Sequence, residues 1–143
     1  MEQPAIIRYE QIIEESVHTR DYVLAPEVYE NFLRAFEDQS PIHVDAAYAR
    51  EAGFAGPVMH GTILNGFVSH FVGMVFPGSY SLLLSVDMRY AQPSYLGDVL
   101  RLTAKVVQKM DVHQVVVLHV TFHNQTQGCL AANGRVQVKV RNT

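Results

Sequence analysis

Thiols are almost absent from this chain: its one cysteine, Cys129, excludes an internal disulfide and a metal site built from thiolates. Charge is also sparse. Charged residues make up 17% of the sequence, the formal net charge is -3 and no block of like charges occurs, which argues against nucleic acid or an anionic membrane surface as a partner. No charged segment followed by an apolar one, as a secretory leader requires, opens the sequence, so a cytoplasmic location is expected. No internal repeat, low-complexity tract or linker divides it either. Residues 1–143 are expected to form one domain, at a length where roughly 70% of the unfolded surface is buried on folding. The most apolar run, HGTILNGFVSHFVGMVFPG (60–78), is interrupted by Asn65 and His70 and closed by Pro77-Gly78. That leaves a helix of about 16 residues and roughly 24 Å, short of a hydrocarbon core of roughly 30 Å. It reads as a buried core helix, and the exclusions leave a small molecule or another protein as the partner.

What is present divides into a first half of helical spacing and a second half of alternation. SVHTRDYVL (16–24) looks like an edge strand. PEVYENFLRAF (26–36) places Val28, Phe32, Leu33 and Phe36 at helical spacing behind a proline suited to a first turn. Asp45 is placed to cap a short helix through about Ala52, ended by Gly53, and a glycine-rich loop leads to the long helix near Gly61. From there the period changes. SLLLSVDMRY (81–90) predicts Leu82, Leu84, Val86, Met88 and Tyr90 inward, with Ser85, Asp87 and Arg89 outward. Further strands are predicted over 99–107, 114–124 and 135–141, with turns at 94–98, Met110-Asp111 and 124–128. A helix apolar nearly all round has to be enclosed, and an antiparallel sheet curled around it buries both elements. The pattern therefore predicts an α+β fold.

One short segment concentrates chemistry. In EDQSPIHVD (37–45), Asp38 and His43 flank Pro41, which cannot continue a helix between them, so the two side chains meet across a bend if they meet at all. A carboxylate and an imidazole that converge can hold a water for acid-base work, or they can tie down a loop.

The longer stretch FLRAFEDQSPIHVDAAYAREAGFAGPVMHGTILNGFVSHFVG resembles the signature of the MaoC-like (R)-specific enoyl-CoA hydratases, the hydratase-2 group, which have a hot-dog fold. That pattern runs roughly Ser/Thr-Gly-Asp-x-Asn-Pro-aliphatic-His, then His-Gly at the start of the central helix. Asp38, Pro41, Ile42, His43, His60 and Gly61 match it in order, and RYAQPSYLGDVLRLTAKV resembles the family's later strand and Gly-Asp turn. Glu37 and Ser40 stand where the family has glycine and asparagine. The resemblance implies a lyase that hydrates trans-2-enoyl thioesters, or dehydrates (R)-3-hydroxyacyl thioesters, carried on CoA or acyl carrier protein. Asp38 and His43 would hold the water, the Gly61 amide would bind the thioester oxygen, and Ser69 and Ser40 are candidate substrate contacts. It implies a homodimer, and no metal or organic cofactor is needed.

General chemistry points the same way. Hydration of a conjugated thioester places negative charge on the carbonyl oxygen, and an unpaired N–H at a helix start is a suitable electrophile for it. The stripe Thr62, Gly66, Ser69 and Gly73 is a candidate wall for an acyl or pantetheine chain. Other residues have plainer expected roles. Asp45 reads as a helix cap and His60 as a residue shaping the turn into the helix. His119 and His123, four strand residues and about 13 Å apart, are too distant to share an ion and are expected to be solvated. Cys129 has no surrounding motif. A hot-dog thioesterase and a non-catalytic thioester-binding subunit remain as rivals.

Overall fold

The computed structural model describes residues 1–142. Strand β1 (Val17–Val23) is followed by helices α1 (Pro26–Phe36), α2 (Pro41–Val44), α3 (Ala46–Glu51) and α4 (Thr62–His70), and then by strands β2 (Ser81–Tyr90), β3 (Val99–Met110), β4 (Val115–Asn124) and β5 (Cys129–Val140). A π-helical turn, Phe71–Val75, continues α4. The helix stops there because Phe76 precedes a proline and is extended (φ -159°, ψ 123°), as a residue before proline prefers.

The five strands form one antiparallel sheet in the order β1-β3-β4-β5-β2. One face of this sheet and α4 make the core. Ile63, Leu64, Val68, Phe71 and Val72 are buried against Leu102, Leu118, Phe122, Val136 and Val138. Each such side chain contributes roughly 1.5–3 kcal/mol relative to exposure, so the helix–sheet contact dominates stability. Gly134 is required where β5 pairs with β2, since a Cβ there would stand 2.0 Å from the Asp87 carbonyl oxygen. No helix among the described residues is long and apolar enough to cross a membrane.

Several expectations hold in detail. α1 begins at Pro26, Asp45 Oδ1 accepts the Tyr48 N–H at 3.1 Å to cap α3, and His119 and His123 are exposed on β4. Others need correction. The alternation in β2 is broken by a bulge between Leu83 and Ser85, so Leu82 and Leu84 face out while Leu83, Val86 and Met88 pack inward; Tyr90 is also exposed. One extra residue in a strand reverses the facing of everything before it. Strand β5 begins six residues earlier than 135 because LAANG, which has no strand pattern of its own, is recruited by pairing with β4 and β2. Nor is α4 enclosed on all sides: Thr62, Gly66 and Ser69 form an exposed stripe within this chain.

The turn before β3 is held by a buried acid. Asp98 Oδ2 accepts hydrogen bonds from the Tyr95 N–H (2.9 Å), Asn124 Nδ2 (2.7 Å) and Gln127 Nε2 (2.9 Å), tying its own turn and the turn between β4 and β5 to one oxygen. Asn124 is fully buried, so its amide has no water to turn to. Replacing Asp98 with alanine is expected to cost about 3 kcal/mol, measured as a fall in the urea midpoint with an unchanged slope.

Stability should also fall in mild acid through His18. Its ring is stacked on Phe76 with centroids 3.6 Å apart, and burial pushes its pKa below the ordinary value. The unfolded chain therefore binds the proton more readily. This contribution is complete above the unfolded pKa of about 6.5 and is lost as pH drops below it. Thermal melts between pH 7.5 and 5 should show a smaller acid loss in His18→Phe than in the wild type.

Candidate active site

The chain reverses sharply where α1 ends. Glu37 takes up the left-handed conformation (φ 56°, ψ 23°) and its N–H bonds the Leu33 carbonyl at 2.8 Å. Glycine suits such a position, which gives a physical reason for the glycine of the family pattern here. Glu37 itself is exposed, so its carboxylate points to solvent rather than into the site. Beyond the reversal, Asp38 Oδ1 accepts the Ser40 N–H at 3.2 Å, and Pro41 opens the single turn of α2 that carries His43. The bend expected at SPIH is therefore a short helix.

Asp38 and His43 do meet across it. His43 Nε2 lies 4.0 Å from Asp38 Oδ2. The other ring nitrogen, Nδ1, is 2.7 Å from the Val58 carbonyl oxygen. A carbonyl only accepts, so Nδ1 carries the proton and Nε2 keeps a free lone pair. The same two segments are tied again by Val58 N–H to the Ile42 carbonyl (2.9 Å), and Tyr29 Oη on α1 donates to the His43 carbonyl at 2.9 Å.

His60 enters this cluster in a way the sequence did not suggest. It is only 2% exposed, its ring stacks on His43 with centroids 4.0 Å apart, and Phe32 packs on it at 4.7 Å. Its Nε2 donates to the Asp38 main-chain carbonyl at 2.9 Å, which leaves Nδ1 as a buried acceptor with no partner among the described residues. An unmet buried acceptor costs roughly 1–3 kcal/mol. The His-Gly pair ahead of the helix was the only sequence signal for this role. Asp38, His43 and His60 together offer one ligating atom each within 4.8 Å of one another. With the His60 Nε2 proton committed to a carbonyl, two lone-pair donors remain, fewer than the three or four protein ligands a zinc site takes.

Gly61 stands at the start of α4, and its N–H donates to no protein acceptor among the described residues. A Cβ at this position would lie 3.0 Å from Tyr90 Cδ1, so the glycine makes room for that ring. Tyr90 is held across it by donating to Asn65 Oδ1 at 2.7 Å, and although the residue is exposed overall, partial desolvation of its phenol raises the pKa above the ordinary value. Two cavities flank the cluster. A larger one of about 1100 Å³ runs between α1, α4 and β1 and reaches Asp38, Thr62 and Gly66. A smaller one of about 300 Å³ is bordered by His43, Gly61 and Tyr90. At the β1 end of the larger cavity, burial pushes the Tyr22 phenol up to about 12, and its hydroxyl is hydrogen-bonded with His70 Nδ1 at 2.9 Å.

Two expected contacts are not brought to the cluster within this chain. Ser69 lies two turns along α4 on the exposed stripe and borders neither cavity, and Ser40 contributes its amide to Asp38 while its hydroxyl makes no protein hydrogen bond among the described residues. Cys129 is half-buried with its thiol free, apart from the site.

A curled antiparallel sheet on a central helix defines the hot-dog class, and here an acid and a histidine are gathered near the helix start. Within that class the chain belongs to the MaoC like domain family, whose pattern matches residues 8–127. It is 28% identical over 109 residues to the (R)-specific enoyl-CoA hydratase of Aeromonas caviae, covering 76% of this chain and 81% of that protein. It is also 28% identical over 76 residues to the mitochondrial 3-hydroxyacyl-[acyl-carrier-protein] dehydratase of Arabidopsis thaliana, covering 53% of this chain and 45% of that one. The unliganded R-hydratase PhaJ1 from Pseudomonas aeruginosa superposes with a TM-score of 0.88 at 24% identity, over 99% of this chain and 90% of that one, which establishes the common fold.

The left-handed Glu37 offers a direct test of the local geometry. Glu37→Gly removes a steric cost of roughly 1–2 kcal/mol and adds roughly 0.5–1 kcal/mol of unfolded-chain freedom, so thermal unfolding should show a net gain of about 0.5–1 kcal/mol.

Proposed function

We propose that this chain, acting as one domain, is an (R)-specific enoyl-CoA hydratase, and equally a 3-hydroxyacyl thioester dehydratase in the reverse direction. The observation that carries the proposal is the free Nε2 lone pair of His43, 4.0 Å from Asp38 Oδ2. Two atoms at that separation can each stand about 2.8 Å from one water, which then sees both at nearly a right angle. The water oxygen forms its bond to C3 as His43 Nε2 takes one of its protons, and Asp38 orients the other. Electrons from the C2–C3 double bond move toward the thioester oxygen, where the Gly61 N–H and the positive end of α4 stabilise the charge. The proton held by His43 then returns to C2. Addition and protonation from one pair on one face give syn hydration.

The relatives act, by their names, on CoA and on acyl-carrier-protein thioesters, and for this chain the class proposed is the acyl thioester common to both. A homodimer belongs to the same proposal. Strand β2 is an unpaired sheet edge whose outer face exposes Leu82 and Leu84, and a second copy pairing there would cover both backbone and side chains.

Incubation with crotonyl-CoA, following enoyl absorbance and free thiol together, tests the chemistry. Absorbance should fall without thiol release, and Asp38→Asn should lower kcat by about 10²–10⁴-fold. Thiol release would instead identify a thioesterase. For the assembly, Leu84→Lys should convert a dimer to a monomer in sedimentation equilibrium, whereas a wild type already monomeric at assay concentration would exclude it.

A further inference from the structure

We infer that His60, which the chemistry above leaves idle, is a positioning residue that holds the Asp38 peptide in place. The inference rests on the Asp38–His43 reading for its functional meaning. Its physical basis is separate, because the aromatic slot that His60 fills does not need a histidine. The ring is 2% exposed, packed between Phe32 and His43, and within 6.0 Å of Tyr29. Phenylalanine would fill and stack in such a slot equally well, and it would not bury the unpartnered acceptor at Nδ1. What a histidine adds there is the Nε2 N–H, which is donated to the carbonyl of Asp38 and also lies 3.9 Å from its carboxylate Oδ2, so that both ends of Asp38 rest against this one nitrogen.

The segment that receives it has few other restraints. Residues 37–40 are exposed; Glu37 N–H to the Leu33 carbonyl and His43 N–H to the Ser40 carbonyl tie the two ends of the segment to α1 and α2, but between them Asp38 and Gln39 make only the local bonds Gln39 N–H to the Glu37 carbonyl and Ser40 N–H to Asp38 Oδ1. The His60 bond spans 22 residues and joins this turn to the start of α4, the element that also presents Gly61. It therefore sets the distance between the carboxylate and the amide at opposite ends of the reacting thioester. The same ring lies against His43, which hangs from the Val58 carbonyl by one bond and would otherwise pivot about it. One side chain thus fixes the carboxylate's peptide by a hydrogen bond and the imidazole's plane by contact.

Two variants separate the donor from the ring. His60→Phe keeps the stack and loses the donor, whereas His60→Gln keeps an N–H able to reach the Asp38 carbonyl. His60→Phe is expected to melt within about 4 °C of the wild type or above it, because it also removes the orphaned acceptor. Its kcat on crotonyl-CoA should nonetheless fall about 100-fold, with KM changed by no more than about threefold. His60→Gln should recover kcat to within about tenfold of the wild type. A readout without turnover accompanies these: the NMR order parameter of the Gln39 amide should fall from about 0.85 to below about 0.6 in His60→Phe and be restored in His60→Gln.

A folded His60→Phe with wild-type kcat and a rigid Gln39 would overturn the inference. If His60→Phe does not fold, His60→Gln decides: wild-type-like activity and order support the donor role, and a 100-fold loss of kcat rejects it. If the wild type hydrates no enoyl thioester, the hydratase reading fails on its own, and the Gln39 measurement alone upholds or rejects the positioning role.

Discussion

Everything in this chain depends on burying α4 against the inner face of a five-stranded sheet. From Thr62 to Val75 the helix and its π turn contain no Asp, Glu, Lys or Arg, and their apolar side chains meet those of β3, β4 and β5 in one cluster. An apolar helix of this kind has no stable position in water, so the sheet must curl to receive it. Once it is seated, the helix start is fixed relative to the strand ends. Met59 N–H bonds the Ser94 carbonyl at 2.9 Å just before it, and Gly61 follows with an amide that no other group claims. The electrophile of the proposed reaction is thus a by-product of core packing.

Main-chain carbonyls do much of the work of defining the site. The Val58 carbonyl selects the tautomer of His43, and the Asp38 carbonyl selects that of His60. Because each carbonyl reaches its histidine from another segment of the chain, the protonation pattern is a property of the fold rather than of the isolated side chains. The site also keeps two features that cost stability, a left-handed Glu37 and a buried unpaired nitrogen on His60. One lies in the reversal that brings Asp38 toward the helix start and the other on the helix side of the same contact, a place where local strain collects when a geometry is retained for function.

The exposed features of the single chain fall on one side of the same problem. The Thr62, Gly66 and Ser69 stripe of α4 and the apolar outer face of β2 are open, although the core beneath them is well packed. The helix is gripped by the sheet on one face only, its stripe opening toward α1 and β1, while β2 leaves free main-chain groups at the opposite sheet edge. Ser69 lies on that stripe, apart from the Asp38 cluster in this chain.

Much of this architecture was legible in the residues. Pro26 and the spacing of Val28, Phe32 and Phe36 located α1, Asp45 located the cap of α3, and alternation located four strands, because these features depend on neighbours a few positions away. The order of Asp38, Pro41, His43, His60 and Gly61 pointed to the family for the same reason. The facing of Leu82 and Leu84 was not legible, since a bulge is settled by pairing with β5 and not by β2 itself. The early start of β5 was hidden likewise, in a segment whose own composition is indifferent to strand formation. Nor could the sequence assign His60, because its partner is a carbonyl and every residue has one. The sequence by itself determined the elements, the central helix and the residue types of the site. Only the tertiary structure decided which carbonyl each histidine meets, and so which nitrogen is free, because that choice is made between segments brought together by the burial of α4.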